Sequence, residues 1–362
     1  MKKILIITNH SFMLWQFRRE LISALIAAEN EVIVALPFGD KIRELEALGC
    51  RCIDTPLERR GMNPVRDFGL IRKYRRILKM EKPDLVLTYS IKPNIYAGFL
   101  CRILGIDRCM HVQGIGTAFQ KPVLRGFVTG LYRLGGRGAK VIFFENQENA
   151  RLFREKRIVK DEKVCVLTGA GVNLRHFAQK EYPEGESVHF LFMGRLMKEK
   201  GVEELIAALE QLLEEGQSFH LDLVGFQEEQ WQQRLENLRK AGACTDHGFQ
   251  PDPRAFYEMA HCVVLPSYHE GMSNVLLEAA ATGRPVITSD IPGCREAVDN
   301  GSTGLTCPPA DVRGLKNAIR EFLALPRESR REMGERGRRK MESEFDRNQV
   351  VARTLDAIFQ EE

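Results

Sequence analysis

Two glutamates, Glu270 and Glu278, stand eight positions apart in the sequence, on either side of a Gly-Met-Ser-Asn stretch. The apolar residues CVVLP upstream predict a short buried strand, and the run VLLEAAATG downstream predicts a helix. Ser273 or Asn274 is a suitable N-cap for this helix, and Gly283 is a suitable residue at its end. Glu270 is therefore predicted to lie in the loop before the helix, and Glu278 inside it.

The start of this predicted helix is suited to bind an anion. Backbone N–H groups in the first turn of a helix have no partner within the helix, and the helix dipole favours negative charge there. With a carboxylate on either side to accept hydrogen bonds from hydroxyls, the segment suits a phosphorylated sugar. The alternative is an ordinary turn between a strand and a helix that carries two solvated glutamates.

Two cations, Arg195 and Lys200, occupy a second strand-loop-helix segment, between HFLFM and EELIAALEQLL. Cleavage of a bond to a nucleoside diphosphate develops negative charge on the leaving group, which fixed cations stabilise. Arginine supplies a fork of donors for phosphate, and lysine supplies a mobile charge. The sequence contains no Asp-x-Asp to hold a divalent metal, so we expect the two cations to act without a metal or other cofactor. The alternative is a solvated basic loop next to Glu199.

Length and composition predict a soluble protein of two domains, since the chain has 362 residues, of which 44% are hydrophobic and 28% charged. The net charge of +4 is too small to indicate nucleic acid as a partner. The nine cysteines lack metal-ligand spacing, which favours reduced thiols in the cytoplasm. No apolar run approaches the about 18 residues of a membrane span, and the first apolar run is too short for a signal peptide.

Strand-like apolar runs alternate with amphipathic segments of helical length along the whole chain. Such alternation predicts parallel sheets with right-handed crossovers, which bind ligands at the carboxyl ends of their strands. A polar segment, 178–187, separates a first domain, 1–178, from a second, 188–345. We therefore predict an α/β fold class with two Rossmann-like, doubly wound domains facing a cleft. A final helix within 346–362 is a candidate to pack on the first domain.

The second half of the chain carries a series of longer motifs: GRLMKEKGV, LVG, HGFQPDPRAFYEMAHCVVLPSYHEGMSNVLLEAAATGRPVI and SDIPGCREAVDNGSTGLTCPPAD. Together they resemble glycosyltransferase family 4, whose members are retaining enzymes of the GT-B fold that use nucleotide sugars. The match covers most of the C-terminal half, in the right order and spacing. It implies the same two-domain architecture that the alternation of strands and helices predicts.

The resemblance implies a role for each residue that matches a family motif. Arg195 and Lys200 correspond to the catalytic clamp on the diphosphate, and Glu270 to the acid that contacts the donor sugar. Glu278 corresponds to the acid that binds the ribose hydroxyls. The remaining donor-binding positions, for the phosphate, the sugar and the base, are Gly194, Gly271, Met272, Ser273, Asn274, Phe249 and Gln250.

The first half is similar to a narrower branch of the family, the capsular and lipid-linked-oligosaccharide transferases, through NHSFMLWQFRREL, TYSIKPNIYAG, HVQGIGTAFQKP, VIFFENQENARLF and TGAGVNLRHF. The usual Gly-Gly loop after the first strand is replaced by Asn-His-Ser-Phe. The resemblance implies a catalytic role for His111, with a buried structural histidine as the alternative. Gly114 and Gly116 allow a ligand to approach the backbone. Lys92 and Asn94 are expected to contact the acceptor, with a solvated loop as the alternative.

No Asp or Glu occurs between residues 108 and 144, where Lys and Arg alternate with apolar residues. A basic amphipathic helix without a membrane span is typical of a segment that lies on an anionic bilayer. We expect the segment 121–140 to make this contact. The basic segment 66–79 is expected to be an ordinary surface helix.

Together with these observations, the resemblance implies a retaining glycosyltransferase that moves a hexose or N-acetylhexosamine from a UDP-sugar to a polyprenyl-diphosphate-linked saccharide. Its expected partners are the nucleotide-sugar donor, the lipid-linked acceptor and an anionic membrane surface, with no nucleic acid. We expect it in the cytoplasm, peripherally bound to the inner face of the membrane. Two other functions stay open: a nucleotide-sugar 2-epimerase of the same fold, and a catalytically silent donor-binding subunit.

Overall fold

The computed structural model of the chain describes residues 1–55, 64–114, 122–185, 187–227 and 231–360. The chain divides into two compact units. Unit 1 comprises Met1–Ala170 together with Asn348–Glu362, and unit 2 comprises Gly171–Arg347. The last stretch of the chain thus belongs to the same unit as its beginning.

The polar segment 178–187 lies within unit 2, so the boundary between the units falls earlier than the predicted linker. The guanidinium of the fully buried Arg284 donates to the carbonyl oxygens of Lys180 (3.3 Å) and Glu181 (2.6 Å). The hydroxyl of Tyr182 donates to the carbonyl oxygen of His261 at 3.0 Å. The segment is polar in sequence, yet its backbone is part of the unit because a buried cation needs hydrogen-bond acceptors.

Unit 1 is built on a seven-stranded sheet whose neighbouring strands all pair in parallel. Its strands are β1 (Lys3–Ile7), β2 (Glu31–Leu36), β3 (Arg51–Asp54), β4 (Leu85–Tyr89), β5 (Asp107–Val112), β6 (Val141–Phe144) and β7 (Val164–Val166). They follow the order β3-β2-β1-β4-β5-β6-β7. The central strands are almost continuously apolar because helices cover both faces of a parallel sheet.

The helices of unit 1 form a layer on each face of this sheet. Leu14 and Leu21 pack in one apolar cluster with Ile358, whereas Leu70 and Leu100 belong to another. Among the described residues, none of the helices has the length and apolar composition to cross a bilayer. The helices are α1 (Ser11–Ala27), α2 (Ile42–Ala47), α3 (Pro64–Glu81), α4 (Ile91–Leu104), α5 (Pro122–Gly136), α6 (Gln147–Glu155) and, at the end of the chain, α13 (Arg347–Phe359).

Unit 2 repeats the plan with a six-stranded parallel sheet. Its strands are β8 (Val188–Met193), β9 (Phe219–Val224), β10 (Cys244–Asp246), β11 (Cys262–Leu265), β12 (Val286–Ser289) and β13 (Gly304–Cys307). Its helices are α7 (Val202–Glu214), α8 (Gln232–Lys240), α9 (Arg254–Met259), α10 (Asn274–Ala281), α11 (Val312–Ala324) and α12 (Arg327–Glu344). The predicted α/β class, with two doubly wound sheets, is confirmed.

The strand order of unit 2, β10-β9-β8-β11-β12-β13, identifies where a ligand fits. The chain moves outward from β8 to β9 and β10, then returns to pair β11 on the other side of β8. At such a switch point the loops after the two neighbouring strands separate, and a crevice opens at their carboxyl ends. The loops after β8 and β11 carry Arg195, Lys200 and Glu270.

His111 is the middle ring of a three-ring stack in the core of unit 1. Its centroid lies 4.2 Å from that of Tyr89 and 4.4 Å from that of Phe143, on the neighbouring strands β4 and β6. The side chain is 3% exposed, and its Nε2 has no hydrogen-bond partner. Burial, reinforced by the charge of Arg18, holds the pKa of His111 well below its usual range. This environment supports the structural alternative for His111 over the catalytic role.

Replacing His111 with phenylalanine should make unit 1 less sensitive to acid. Below about pH 6.5 the unfolded chain binds a proton at His111 that the folded chain does not, so the parent loses stability as pH falls, by up to about 1.4 kcal/mol per pH unit. Phenylalanine keeps the stack and takes up no proton. Amide hydrogen exchange of β4 and β5, corrected for intrinsic rates, measures this at about pH 7 and about pH 5. Equal acid sensitivity in parent and His111→Phe would contradict the assignment.

Candidate functional site

Lys200 and Glu270, which are 70 positions apart in sequence, form an ion pair in unit 2. The Lys200 Nζ lies 2.5 Å from the Glu270 Oε1, and the hydroxyl of Ser267 donates to the same oxygen at 2.8 Å. The two charged side chains are 21% and 13% exposed, so they form a partly buried pair rather than a surface salt bridge. Two residues that the sequence assigned to different segments therefore lie in direct contact.

Two loops approach closely to bring these charges together, one after β8 and one after β11. A Cβ at Gly201, whose φ is +69°, would lie 2.1 Å from the carbonyl oxygen of Pro266. The backbone N–H of Tyr268 donates to the carbonyl oxygen of Glu199 at 2.9 Å. The Tyr268 hydroxyl donates to Glu204 on α7 at 2.6 Å. The contact between the loops therefore requires glycine at position 201.

Arg195 lies in the same loop as Lys200, directly after β8, and its side chain is exposed. The backbone beside it packs directly on the backbone at Gly225, since a Cβ at Gly225 would lie 1.7 Å from the carbonyl oxygen of Gly194. The N–H of Gly225 in turn donates to the carbonyl oxygen of Gly248 at 2.9 Å. The main chain that follows β8, β9 and β10 is thus packed closely together through three glycines. Gly194 was predicted to line the site, whereas Gly225 and Gly248 were not singled out.

An exposed pair of aromatic rings stands at the same edge of the sheet. Phe226 follows β9 and Phe249 follows β10, with their centroids 4.2 Å apart and their planes 9° from parallel. They are 57% and 44% exposed. Phe249 lies in the segment predicted to hold a base, with Gln250 next to it. Phe226 was missed, and its signal in the sequence was an aromatic residue directly after the motif LVG.

Glu278 lies inside α10, as predicted, but it is only 4% exposed. Its Oε2 accepts a hydrogen bond from the hydroxyl of Tyr257, on α9, at 2.9 Å. Burial raises the pKa of Glu278 to about 7, against the opposing effects of the Tyr257 hydrogen bond and the positive charge of Arg347. The alternative of a solvated surface glutamate is therefore wrong, and this carboxyl group titrates near neutral pH.

The loop before α10 is held in place by Gly293. A Cβ at Gly293 would lie 2.5 Å from the carbonyl oxygen of Gly271, and the N–H of Ser273 donates to the carbonyl oxygen of Gly293 at 2.8 Å. Ser273 is the N-cap and Asn274 the first residue of the helix, while the side chain of Met272 is buried. The backbone N–H of Ser273, one of the donors predicted to bind a ligand, is thus already hydrogen-bonded within unit 2.

Two residues predicted to contact an acceptor have hydrogen-bonding partners inside unit 1. The Nζ of Lys92 lies 2.8 Å from Oδ1 of Asp67. Asn94 is fully buried, and its side-chain amide donates to the carbonyl oxygen of His111 at 2.9 Å. Neither residue is in the solvated loop weighed as the alternative, because α4 begins at Ile91 and places both in its first turn.

Only one of the two glycines predicted to line the acceptor site, Gly114, is among the described residues. Gly114 follows β5, and a Cβ there would meet no atom within 4 Å, so packing does not require glycine at this position. Gly116 lies outside the described residues. The approach of a ligand to the backbone at these positions stays a prediction.

Side chains that bind metals are present in the chain, and its nine cysteines are free thiols. Within the ranges that the structure describes, no group of three His, Cys, Asp or Glu side chains is arranged to hold a metal ion. The expectation that the reaction needs no metal stays a prediction.

Two family models match the chain, and the matches follow the division into units. The model described as "Glycosyl transferase 4-like domain" matches residues 14–169, within unit 1. The model described as "Glycosyl transferases group 1" matches residues 175–340, within unit 2. Between them they cover most of the sequence.

Two relatives are similar to the chain over more than four fifths of its length. The N,N'-diacetylbacillosaminyl-diphospho-undecaprenol alpha-1,3-N-acetylgalactosaminyltransferase of Campylobacter jejuni is 26% identical, over 84% of this chain and 85% of the relative. The capsular polysaccharide biosynthesis glycosyltransferase CapM of Staphylococcus aureus is also 26% identical, over 81% of this chain and 82% of the relative.

Solved structures share the fold. A glycosyltransferase from Rickettsia africae has a TM-score of 0.81 at 19% identity, over 100% of this chain and 99% of that one. HepE from Anabaena, crystallised with UDP and glucose, has a TM-score of 0.80 at 17% identity, over 98% and 99% of the two chains. The paired family matches, the relatives and the two parallel sheets agree, and the chain belongs to the GT-B glycosyltransferases of family 4.

Proposed function

We propose that this glycosyltransferase moves a hexose or N-acetylhexosamine from a UDP-sugar to a polyprenyl-diphosphate-linked saccharide, with retention and without a metal. The observation that carries the proposal is the contact between Lys200 and Glu270. It sets a cation for a diphosphate beside a carboxylate for sugar hydroxyls, at the switch point of the sheet. The crystal structure of HepE in complex with UDP and glucose supports a UDP-sugar as the donor.

The acceptor in this proposal rests on the names of the relatives. The Campylobacter jejuni relative acts on a diphospho-undecaprenol-linked sugar, and CapM belongs to capsular polysaccharide biosynthesis. Both match most of this chain, including unit 1. A lipid-linked saccharide is therefore the acceptor class that we propose.

The proposed reaction breaks one bond and forms one at the anomeric carbon of the donor sugar. The acceptor hydroxyl attacks from the face that the diphosphate leaves, and its proton passes to the departing phosphate oxygen. Arg195 and Lys200 stabilise the negative charge that develops on the diphosphate. Glu270 accepts hydrogen bonds from the sugar. Attack from that face retains the anomeric configuration. Because the phosphate oxygen takes the proton, no side-chain base is needed.

Metal-independent retention can be tested with purified protein, a panel of UDP-sugars and a polyprenyl-diphosphate-linked saccharide. Transfer should persist in excess EDTA, and the product should keep the anomeric configuration of the donor. Lys200→Met should slow transfer by roughly 10²–10³, the scale of one preorganised charge stabiliser. Strict dependence on magnesium or manganese, or a product with inverted anomeric configuration, would contradict the proposal. Epimerisation of the UDP-sugar in the absence of acceptor would also contradict it.

Glu278→Gln and Glu270→Gln should have different effects. With Glu278 bound to ribose hydroxyls as a carboxylate, UDP affinity should fall as pH drops below about 7, because the carboxyl group then gains a proton and accepts less well. Glu278→Gln should weaken UDP binding and remove this part of the pH dependence. Glu270→Gln should leave UDP affinity near that of the parent and lower turnover. Calorimetric titration with UDP, in parallel with rates, measures both, and equal loss of UDP affinity in the two variants would reverse the assignment.

We place the proposed membrane contact on α4 and α5 of unit 1. The two helices lie close together, since a Cβ at Gly98 would be 2.8 Å from the carbonyl oxygen of Gly135. Neither helix contains Asp or Glu. Large apolar side chains on this pair of helices are exposed: Phe99, Ile103, Phe127 and Leu134.

Arginines lie beside two of these apolar side chains. Arg102 and Arg137 are exposed and line a groove together with Phe127 and Leu134. Exposed apolar groups beside cations suit the boundary between headgroups and acyl chains of an anionic bilayer. The segment 121–140 predicted from sequence thus has α4 as a neighbour that the sequence did not single out. Lys121 and the side chain of Arg125 lie outside the described residues.

Reversing two charges of this face should release the protein from anionic vesicles. Arg102→Glu with Arg137→Glu should reduce binding to vesicles that contain anionic lipid, because each cation near such a surface contributes about 1 kcal/mol. The matched control is Arg313→Glu with Arg339→Glu, which changes the net charge equally on exposed positions of unit 2. Vesicle flotation at low and high salt measures both. Equal binding of the two variants would exclude this face as the contact.

A further inference from the structure

Asp222, a buried residue of β9, gathers the imidazoles of three histidines. The Nε2 of His247 lies 2.7 Å from Oδ1 of Asp222, and the Nδ1 of His189 lies 3.2 Å from Oδ2. The Nε2 of His220 is more distant, at 3.7 Å from Oδ1. A buried carboxylate needs hydrogen-bond donors. Asp222 and the three histidines form a cluster that the site described above does not use.

The hydrogen-bond partners distinguish the histidines by which ring nitrogen donates. A carboxylate oxygen only accepts, so the Nε2 of His247 donates to Asp222. The Nδ1 of His220 lies 3.2 Å from the carbonyl oxygen of Gly242, and its Nε2 lies 3.0 Å from the hydroxyl of Thr245. When that Nδ1 donates, the neutral ring accepts from Thr245 through Nε2. His247 therefore makes the shortest and best-defined hydrogen bond to Asp222.

His247 is also the first residue of the loop that follows β10. Its backbone N–H donates to the carbonyl oxygen of Leu223 at 2.9 Å, and its own carbonyl accepts from the side chain of Gln250 at 2.8 Å. Phe249, with its exposed ring, lies between these two residues. The bond to Asp222 thus fixes the start of a short loop whose other end is tied back to the same residue.

We propose that Asp222 and His247 are positioning residues for the nucleotide: their hydrogen bond holds the loop 248–250 in the conformation that binds the donor. This inference rests on the proposed function and on the prediction from sequence that Phe249 and Gln250 bind the base of the donor. A loop that is already ordered loses less conformational entropy when a ligand binds. Asp222 and His247 therefore act on donor affinity without touching the reacting atoms.

Two substitutions of His247 separate the hydrogen bond from the shape of the ring. His247→Phe keeps a ring against Phe256, which His247 contacts with centroids 4.9 Å apart, but offers no donor to Asp222. His247→Gln places an N–H donor near the position of Nε2. We expect UDP to bind His247→Phe roughly tenfold more weakly than the parent, as expected for loss of about one charge-assisted hydrogen bond. The KM for the UDP-sugar should rise with it while kcat stays near that of the parent, and His247→Gln should recover most of the affinity.

His220→Phe is the matched control, because it removes an imidazole from the same carboxylate without a bond to the loop. Its UDP affinity, measured by the same calorimetric titration of the full chain, should equal that of the parent. Normal UDP binding by His247→Phe, equal weakening in His220→Phe, or no recovery in His247→Gln would overturn the inference. If His247→Phe binds UDP normally while Glu278→Gln does not, the proposed function stands and this inference fails. If His247→Phe shows the expected loss but the parent transfers no sugar, the proposed function fails and the inference stands.

Discussion

A lysine and a glutamate held against each other in a partly buried crevice form the interaction on which the site in unit 2 depends. An unpaired charge that is partly buried costs free energy of folding. Lys200 and Glu270 each supply the opposite charge that offsets this cost for the other. The contact exists because Gly201 lets the two loops meet at the carbonyl of Pro266. In the proposed reaction, a diphosphate that draws the ammonium of Lys200 leaves Glu270 ready to accept from the sugar. Donor binding would then prepare the carboxylate that holds the transferred group.

The two glutamates of this segment meet different environments, although they are close in sequence. Glu270 lies in a loop with a cation and a hydroxyl as partners. Glu278 lies inside α10 against the hydroxyl of Tyr257, where burial raises its pKa. One carboxylate is thus held beside a cation, and the other beside a neutral hydroxyl. This difference suits a donor in which the diphosphate and the transferred sugar lie beside one carboxylate and the ribose beside the other.

Much of the fold follows from local sequence patterns. Continuous apolar runs such as KILII of β1 and VHFLFM of β8 predict buried parallel strands because both faces of each sheet are covered. Ser273 or Asn274 was predicted as the N-cap of α10 because polar residues precede an apolar run there, and Ser273 is the N-cap. The loop positions of Lys200 and Glu270 followed from the same reasoning.

Partners that are distant in sequence could not be predicted in this way. The pairing of the Lys92 cation with Asp67 was not predicted. The segment 178–187 was expected to be a linker, but its carbonyl groups bind the buried Arg284. No pattern within one segment reports which residue of another segment will satisfy a charge or a backbone group. The Tyr257 hydroxyl that bonds Glu278 is a further example.

The central claim is that Lys200 and Glu270 act as an interdependent pair in sugar transfer, and a double-mutant cycle tests it most directly. The transfer rates of Lys200→Met, Glu270→Gln and the double variant are compared with that of the parent, at a saturating UDP-sugar concentration. The account predicts that the double variant is about as slow as the slower single variant, because either substitution already disables the pair. Losses that multiply would show that the two residues act independently, and would contradict it.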